Sequence, residues 1–561
     1  MPRCKSPRCP SWTNSFPAVM ALCFIPGLRL GLCQSTAAAQ AAASGEYRVS
    51  GTIVSKSDGH PLDHAVVALV EVKNRKNVQT TITRQDGRFS FDGLAGGKYS
   101  LVGERKGYIN AAYDSHGQYS TAIVTGAGLD TEHLTLRLAP TGIIAGRVLD
   151  ESGEAVRNAT VIGYLDDHSS GFGQVRQFRV AQTDDQGDYE ITSLLPGTYF
   201  LSASATPWYA VHPNRQMDVP GSPPASVDPS LDVTYQLTYY GDETAAEDAT
   251  PIPIRGGERL EADIHLSPAR ALTLRFRVPT NEEGGFRVPQ LQQSSFDGGM
   301  TYVQTTGVTM VSPGLMEITG VPAGKYNVRI NGNGFTAQMS GLEVESEGQE
   351  LDLSSAEALS NVKISVSISG ETMSTHRGVV ALQPEHKAMV AWQRVDEKGE
   401  VELQQVPAGV YDVEVWNFGK AYAVDQMTVN GVSVKGRRVK IVAGSLPSIS
   451  ITLVPGDAQV NGVVNRAGKG VAGAMVVLVP KNPDLHRDLF RRDQSDLDGT
   501  FSLQGVVPGS YTVLAIDDGW NLDWSEPAVI AAYLKGGRTI KIGGQPMPLV
   551  DLGAPIEVQS K

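Results

Sequence analysis

A short segment bracketed by two glycines recurs five times in this chain and limits the folds that it can adopt. Its clearest copy runs from Gln186 to Leu201, QGDYEITSLLPGTYFL. After the first glycine, apolar residues stand two, four and seven positions on, a second glycine ten on, and a tyrosine twelve on. The first glycines are Gly87, Gly187, Gly314, Gly399 and Gly499, and the tyrosines are Tyr99, Tyr199, Tyr326, Tyr411 and Tyr511. This repeat predicts five copies of one small domain.

The pattern inside the segment predicts a strand, a corner and a second strand. Apolar residues at alternate positions, with a polar residue between them, are typical of a half-buried β-strand. The preceding turns, such as DDQG and DLDG, contain residues that tolerate positive φ. The second glycine marks a sharp corner before the next strand. We expect the tyrosine to enter the core there, and we hypothesise that its hydroxyl bonds back to a turn carbonyl, as in the tyrosine corner of immunoglobulin-type sandwiches.

The spacing of the copies predicts a string of independent domains of roughly 100 residues each, too long for the units of a solenoid. The 60 Gly and 32 Pro favour an all-β chain. We therefore predict a tandem array of about five β-sandwiches after an N-terminal signal peptide. The expected boundaries are 1–40 for the signal peptide and 47–139, 140–269, 270–355, 358–455 and 456–552 for the sandwiches, with a Pro-rich insertion at 207–230 in the second.

The first 40 residues are typical of a secretory leader. A basic start precedes a mainly apolar stretch, Phe16 to Leu32, and small residues follow it. The alternatives are an uncleaved membrane anchor and a lipoprotein acylated at Cys33. We favour cleavage because the apolar stretch is shorter than the ~20 residues of a spanning helix. The mature chain would then lack a membrane span and be exported to the periplasm, the cell surface or the medium.

Cysteine content and charge exclude several classes of site and partner. All four Cys lie within the first 33 residues, so the mature chain would have neither disulfides nor thiolate metal sites. The formal net charge is -12. An acidic surface argues against nucleic acid or anionic lipid as partner.

The openings of three domains carry a resemblance to a known family. They read YRVSGTIV from Tyr47, IIAGRVLD from Ile143 and VNGVVNRAGKG from Val460, and each is joined to the same turn and corner. Together these features resemble the carboxypeptidase regulatory-like domain. The resemblance implies a transthyretin-like (prealbumin-like) Greek-key β-sandwich with a carbohydrate-binding-like fold, of the secreted bacterial type. In the third and fourth domains only the corner matches well.

We expect no catalytic, cofactor or metal site. The zinc carboxypeptidase domain that gives the family its name has no counterpart, because neither its helices nor its His-x-x-Glu pair is found. His60 and His64 suggest a metal site, but they span a Pro-bearing turn, where residues four apart do not share a face. The Asp-rich segments 184–188 and 495–499 suggest calcium loops, but turn geometry already explains their Asp and Gly.

Aromatic residues just past the post-corner strand are the best candidates for recognition. They recur in four domains as KGYINAAY, TPWYAVHP, VWNFGKAY and DDGWNLDW. The last is the richest, and its candidate carbohydrate-binding residues are Trp520, Trp524, Asp518 and Asn521, with Asp517 and Asp523 nearby. The alternative, which we favour, is that each aromatic side chain plugs the end of its own sandwich or packs against the next domain.

Two functions from different classes follow. The first is a non-catalytic scaffold that contacts cell-envelope proteins. The second is a carbohydrate-binding protein that holds polysaccharide on its aromatic loops.

Overall fold

The described part of the chain is built almost wholly from β-strands. The structure, a computed structural model, describes residues 45–561 except 127, 213–227, 278–287, 304, 306, 313, 333–334, 354–355, 371–377, 386, 388, 417–420 and 544–548. The predicted signal peptide, with all four Cys, lies outside the described residues, as does most of the Pro-rich insertion.

The first sandwich has two sheets, with orders β4-β1-β8 and β3-β2-β5-β6, and β7 also pairs with β5. Its strands are β1 (Tyr47–Ser55), β2 (Val66–Glu71), β3 (Val78–Ile82), β4 (Arg88–Leu94), β5 (Gly97–Glu104), β6 (Ala111–Ala112), β7 (Ile123–Thr125) and β8 (Leu134–Leu138).

The second sandwich repeats this arrangement and adds strands after its insertion. They are β9 (Gly142–Leu149), β10 (Thr160–Asp167), β11 (Gln174–Gln182), β12 (Asp188–Leu194), β13 (Gly197–Ser204), β14 (Val233–Tyr235), β15 (Thr238–Tyr239), β16 (Ile252–Ile254), β17 (Arg259–Glu261), β18 (Ile264–His265) and β19 (Pro268–Arg270). The sheets are β12-β9-β17, with β18 also on β9, and β11-β10-β13-β15, with β16 also on β13; β14 pairs with β19.

The third sandwich combines the sheets β23-β24-β20-β27 and β22-β21-β25-β26-β28. Its strands are β20 (Leu272–Arg277), β21 (Val288–Ser294), β22 (Met300–Tyr302), β23 (Gly307–Ser312), β24 (Leu315–Val321), β25 (Gly324–Gly332), β26 (Phe335–Val344), β27 (Gln349–Asp352) and β28 (Glu357–Ala358).

The fourth sandwich combines the sheets β32-β29-β37-β34-β35 and β31-β30-β33-β36. Its strands are β29 (Ser360–Ile368), β30 (Val379–Gln383), β31 (Ala391–Arg394), β32 (Glu400–Val406), β33 (Gly409–Trp416), β34 (Tyr422–Val429), β35 (Val432–Val434), β36 (Arg438–Ile441) and β37 (Ser448–Pro455).

The fifth sandwich combines β39-β38-β42, with β45 and β46 also on β38, and β41-β40-β43-β44, with β47 on β43. Its strands are β38 (Ala458–Arg466), β39 (Lys469–Gly470), β40 (Met475–Pro480), β41 (Arg491–Gln494), β42 (Thr500–Val506), β43 (Gly509–Asp517), β44 (Arg538–Ile542), β45 (Leu549–Asp551), β46 (Ile556–Glu557) and β47 (Gln559–Ser560). A short helix, α1 (Pro527–Ile530), follows β43.

All five sandwiches share one topology around the repeated segment. The opening strand pairs antiparallel with the strand before the corner and parallel with a later strand of the same sandwich. The strand after the corner belongs to the other sheet, where it pairs antiparallel with the strand of that sheet that comes first in the chain. The corner therefore joins the two sheets in every copy, which confirms the predicted tandem β-sandwiches in the third and fourth copies as well.

A β-bulge precedes every corner, and it explains the uneven spacing of the apolar residues. The residue six positions after the first glycine has a positive φ in each copy: Gly93, Ser193, Gly320, Gln405 and Gly505. The pairing register with the opening strand shifts at the same place. Strand residues two apart share a face, so the step from position four to position seven needs one extra residue to return to the core.

The five sandwiches have five separate hydrophobic cores. Each sandwich thus has its own core, unlike the units of a solenoid, and the fifth sandwich in addition contacts the first, the second and the fourth. Ser525 N donates to Gly171 O over 3.1 Å, and Gly456 N donates to Ala421 O over 2.9 Å. The contact with the first sandwich is part of the site below.

Candidate functional site

The five corner tyrosines are buried and make the same hydrogen bond. Each hydroxyl donates to the backbone carbonyl four residues before it, at 2.6 to 3.0 Å; the acceptors are Ala95, Leu195, Pro322, Pro407 and Val507. Burial raises the pKa of all five hydroxyls. The hydrogen bond expected from the tyrosine-corner hypothesis is present in every copy, so these residues hold the fold and offer no reactive group.

The second sheet of the fifth sandwich is covered on its outer face by the segment that follows β43. We call residues 519–536 the cap. Met475, Val477 and Val479 point away from the core shared by the two sheets and pack with cap side chains that include Trp520, Trp524 and Ile530. The sequence signal for this is the unbroken apolar run MVVLV in β40, which is typical of a strand buried on both faces.

Trp520 is the cap residue that contacts the first sandwich. Its ring stacks on His116, with centroids 4.7 Å apart and planes 4° apart, and approaches Tyr119 at 5.6 Å. Its Nε1 donates to Gly473 O at 3.0 Å. The ring of Trp520 is thus used to join two sandwiches, as the favoured alternative expects.

Trp524 lies where the fifth sandwich meets the second. Its ring packs against Phe490 at 5.7 Å and against the guanidinium of Arg492, whose Cζ lies 4.0 Å from the ring centroid. A Cβ on Gly171 would come within 2.5 Å of the indole. The indole Nε1 is buried and has no hydrogen-bond partner.

The other candidate carbohydrate-binding residues lie elsewhere. Asp518, just before the cap, has a φ of 50°, and both it and Asn521 are exposed. Asp523 pairs with His168 of the second sandwich at 2.7 Å, which raises the pKa of that imidazole. The structure therefore does not bring the four candidates onto one open face, because the two indoles are needed to cover an apolar sheet.

A cleft of about 570 Å³ opens beside these aromatic residues, between the first, second and fifth sandwiches. We call it the three-domain cleft. It is lined by Arg75, Gln118, Tyr119, Ser169, Ser170, Phe490, Arg491, Arg492, Asp493, Ser502, Gln504 and Trp524. Of the predicted site residues only Trp524 is in this lining. Strand β41, which contributes Arg491 to Asp493, was not predicted as part of a site, because its residues resemble those of an ordinary polar edge strand.

The electrostatics of the cleft are dominated by burial of charged groups. Burial lowers the pKa of the Arg491 and Arg492 guanidinium groups, and burial raises the pKa of the Asp493 carboxyl to about 6. Arg491 donates to three backbone carbonyls, those of Gly505, Asp488 and Phe490. Arg491 therefore fixes the local backbone, whereas Arg492 is held mainly by aromatic rings.

The edge of β41 and the turn after it make the contact with the first sandwich. Gln494, which is 1% exposed, donates to Asp114 O at 2.5 Å and to Thr121 Oγ1 at 2.8 Å. Leu497 N donates to Ala122 O at 3.0 Å.

Asp496 carries the charged part of this contact. Its carboxylate pairs with Lys98 Nζ, and its Oδ1 accepts from Ala122 N at 2.9 Å. Burial raises the pKa of this carboxyl. These groups join residues more than 370 positions apart in the chain.

The other sequence candidates remain simple turns. His60 Nδ1 lies 2.6 Å from Asp58, and His64 Nδ1 lies 3.1 Å from Asp63, so each imidazole pairs with its own neighbour. Among the described residues, no group of three or more His, Cys, Asp or Glu is placed to hold a metal ion. No helix in the described ranges is long and apolar enough to cross a bilayer.

The sequence profile of the carboxypeptidase regulatory-like domain family matches residues 48–137 and 143–232. This chain contains two carboxypeptidase regulatory-like domains. The second match ends well before β17 and β18, the strands that complete that sandwich beside β9. The fifth sandwich shares the topology of the two carboxypeptidase regulatory-like domains, although the matched ranges do not include it.

Solved structures give a weaker likeness. The TIE protein of Bacillus anthracis is 10% identical over 73% of this chain and 74% of its own, with a TM-score of 0.18. A streptococcal ancillary pilin is 12% identical over 50% and 98%, with a TM-score of 0.19, and a minor pilin of Streptococcus agalactiae is 13% identical over 42% and 98%, with a TM-score of 0.21. These scores are too low to support an argument about this chain. No curated protein sequence matches significantly.

Both carboxypeptidase regulatory-like domains contribute to the three-domain cleft. The first supplies Arg75, Gln118 and Tyr119, and the second supplies Ser169 and Ser170. The remaining lining residues come from the fifth sandwich, so the cleft exists only when these three sandwiches are together.

Proposed function

We propose that this chain is a non-catalytic, exported scaffold that holds its sandwiches in a fixed arrangement at the cell envelope or outside the cell. The observation that carries this proposal is the contact between the first and fifth sandwiches. A buried glutamine, a lysine–aspartate pair and a stacked indole join parts of the chain that any flexible string would leave apart. Fixed spacing of domains is what a protein needs in order to present several surfaces at once to cell-envelope proteins.

The absence of a catalytic role is part of the proposal. The matched family is described as a regulatory-like domain and not as a carboxypeptidase catalytic domain. The hydroxyls of the five corner tyrosines donate to backbone carbonyls, and burial raises their pKa further above neutral pH.

Cell fractionation tests export directly. We expect the chain in the periplasm, the membrane-associated fraction or the medium, with a mass that shows removal of about 40 residues. A variant that lacks residues 1–40 is the matched control and should stay in the cytosol. An intact leader on a cytosolic chain would overturn the exported part of the proposal.

Crosslinking in living cells tests the scaffold role. A photo-crosslinker placed at different exposed positions should capture different cell-envelope proteins, each from a defined position. This pattern should change in Asp496→Ala, which opens the contact between the first and fifth sandwiches. Recovery of the same partners at every position, irrespective of that contact, would argue against a fixed arrangement.

Carbohydrate binding is a second candidate, and one observation favours it. Trp208, in the aromatic segment after the corner of the second sandwich, is 83% exposed, while Tyr209 beside it bonds to Glu151. An exposed indole beside a residue that is held by a hydrogen bond is suited to stacking on a sugar ring. Retention on insoluble polysaccharides should then be lost in Trp208→Ala. Trp520→Ala and Trp524→Ala should instead weaken the contacts between sandwiches. If the chain is retained on none of a broad panel of polysaccharides, the carbohydrate-binding function is contradicted and the scaffold function is the one that stands.

A further inference from the structure

The lining of the three-domain cleft is positive in a chain that is negative overall. Three arginines, Arg75, Arg491 and Arg492, face one carboxylate, Asp493, in the lining. The whole chain has a formal net charge of -12. A local cationic cleft on an acidic protein concentrates anions and repels cations, because the low-dielectric walls focus the field.

Arg492 is held without a carboxylate partner in the described part of the chain. Its guanidinium lies over Trp524 at 4.0 Å and over Tyr119 at 5.0 Å, and Nη2 donates to Ser169 O at 3.3 Å. Aromatic faces stabilise the cation. Nη1 also donates to Met475 Sδ at 4.0 Å and the guanidinium bonds to Tyr119, so Nε is the donor of this group that is left without an acceptor. Burial of a cation is favourable only when its donors also find acceptors.

Two buried donors in this region have no acceptor. They are Arg492 Nε and the indole Nε1 of Trp524, and both residues line the cleft. Buried donors in native proteins are nearly always satisfied by protein, water or ligand. Two unsatisfied donors on residues that pack against each other point to a ligand that is rich in acceptor atoms.

We propose that the three-domain cleft binds the oxyanion group of a ligand, a carboxylate, phosphate or sulfate, through Arg492 and Trp524 Nε1. Guanidinium groups match such oxyanions in shape and charge. The cleft, of about 570 Å³, is in the size range of small-molecule sites. The serine and glutamine side chains of the lining supply further polar contacts for the rest of the ligand.

This site differs from a sugar-stacking face. The Trp524 ring already packs against Arg492, Phe490 and the backbone at Gly171, and Trp520 packs against His116. Recognition in the cleft therefore depends on hydrogen-bond donors and charge. The inference does not depend on whether the chain acts as a scaffold.

Isothermal titration calorimetry of the full exported chain tests the proposal with three probes: inorganic phosphate, glucuronate and glucose. Glucose is the neutral counterpart of glucuronate, so a difference in affinity between the two measures the contribution of the carboxylate. Binding of phosphate, of glucuronate or of both, without binding of glucose, supports the proposal and tells a free oxyanion from a sugar acid. No binding of either anion at millimolar concentration, or equal binding of glucose, overturns it.

Substitutions locate the bound anion. Arg492→Met keeps an aliphatic side chain on the indole and should weaken anion binding at least about tenfold, as loss of a charged hydrogen bond implies. Trp524→Phe keeps a ring and removes the Nε1 donor, so it should weaken binding by a smaller factor.

Arg179→Met is the matched control, because Arg179 lies over the ring of Phe178 on another edge strand, β11, away from the cleft. If Arg492→Met lowers the melting temperature, Gln504→Glu takes its place: Gln504 is exposed at the cleft, and a negative charge there should also weaken anion binding. Unchanged affinity in a folded Gln504→Glu and a folded Trp524→Phe would overturn the assignment to this cleft.

Discussion

The turn before the pre-corner strand has the same backbone in the second and fifth sandwiches, but its aspartate has a different use. In both turns the glycine N donates to the aspartate O, Gly187 to Asp184 and Gly499 to Asp496. The side chain of Asp184 then accepts from Gln186 N and Asp188 N within its own turn. The side chain of Asp496 instead reaches Ala122 N and Lys98 of the first sandwich.

The fourth sandwich shows which use is local. Asp396 accepts from Lys398 N and Glu400 N, as Asp184 does in the second sandwich. In the fifth sandwich Asp498 takes over the local role by accepting from Thr500 N at 3.0 Å. A single motif, Asp-x-x-Gly, therefore closes a turn in two copies and joins two domains in a third. The motif specifies the backbone, and the surroundings decide what the side chain binds.

The largest effect is expected where the two turns are alike. Gly187→Ala and Gly499→Ala should each lower the free energy of unfolding of their sandwich by about 2–4 kcal/mol, because both glycines have φ near +80° and a Cβ would come within 2.8 Å of a backbone carbonyl oxygen. Hydrogen exchange in urea, resolved by mass spectrometry, measures each sandwich separately.

Gly153→Ala is the control for these variants, because Gly153 has a φ of 80° and open space around it. It reports the cost of the left-handed backbone alone, roughly 1–2 kcal/mol. If Gly187→Ala and Gly499→Ala lower the free energy of unfolding no more than Gly153→Ala does, the close approach to the carbonyl oxygen adds nothing to the cost. The two turns would then be alike only in the φ of their glycines.

The next effect is expected at Asp493, which stands on the edge strand where the second sandwich has Ala181. Its pKa is about 6 against an ordinary 3.8. At pH values below 3.8 the carboxyl is protonated in both states. As the pH rises toward 6 it ionises more readily in the unfolded chain, so the free energy of unfolding falls, by no more than about 3 kcal/mol since one pKa unit is about 1.4 kcal/mol.

Asp493→Asn removes this titration. Its fifth sandwich should gain stability relative to the parent chain between about pH 4 and pH 7, while the second sandwich should behave alike in both proteins. Denaturant unfolding across that range measures the difference. Parallel curves for the two proteins would show that Asp493 has an ordinary pKa.

Asp496→Ala breaks the comparison between the two turns most directly. Loss of charged, partly buried hydrogen bonds should weaken the contact with the first sandwich by about 2 kcal/mol. The amides of Ala122 and Leu497 should then exchange faster with solvent. Asp184→Ala should leave those amides unchanged and cost its own turn about 0.5–1 kcal/mol. Equal exchange at Ala122 in both variants would contradict the interdomain use of Asp496.

The smallest effect is expected at the corner tyrosines, where all copies agree. Tyr199→Phe and Tyr511→Phe should each cost about 1 kcal/mol, because each leaves the carbonyl four residues earlier without its donor. The same urea and hydrogen-exchange measurement applies. A cost in one copy and none in the other would show that the corners are not equivalent, in spite of their shared geometry.

Several parts of the fold could be predicted from the sequence, because they depend on residues close together in the chain. The strand, corner and strand of the repeat, the positive φ of the first glycine and the inward tyrosine all follow from spacing within about fifteen residues. The β-bulge was present in the same spacing but went unrecognised. Apolar residues at positions two, four and seven cannot share a face of a regular strand, so the change of parity was the available signal.

The candidate site was predictable only in part. Trp520 and Trp524 stand out in the sequence, and the packing role favoured for them agrees with the structure, which places both at contacts between sandwiches. Arg492, Asp493 and Gln494 do not stand out, since a short polar strand such as RRDQ is typical of an exposed sheet edge. Only the approach of the first and second sandwiches turns that edge into the wall of a cleft.

Hydrophobic alternation and turn residues act over one or two strands, so these local patterns specify a series of β-sandwiches with a common corner. Which sandwiches touch, and which side chains meet between them, depends on how the finished sandwiches pack. Such contacts join residues hundreds of positions apart, and the polar groups that form them look in the sequence like any groups exposed to water. Lys98 and Asp496 form their ion pair only when the first and fifth sandwiches, each already folded, come together.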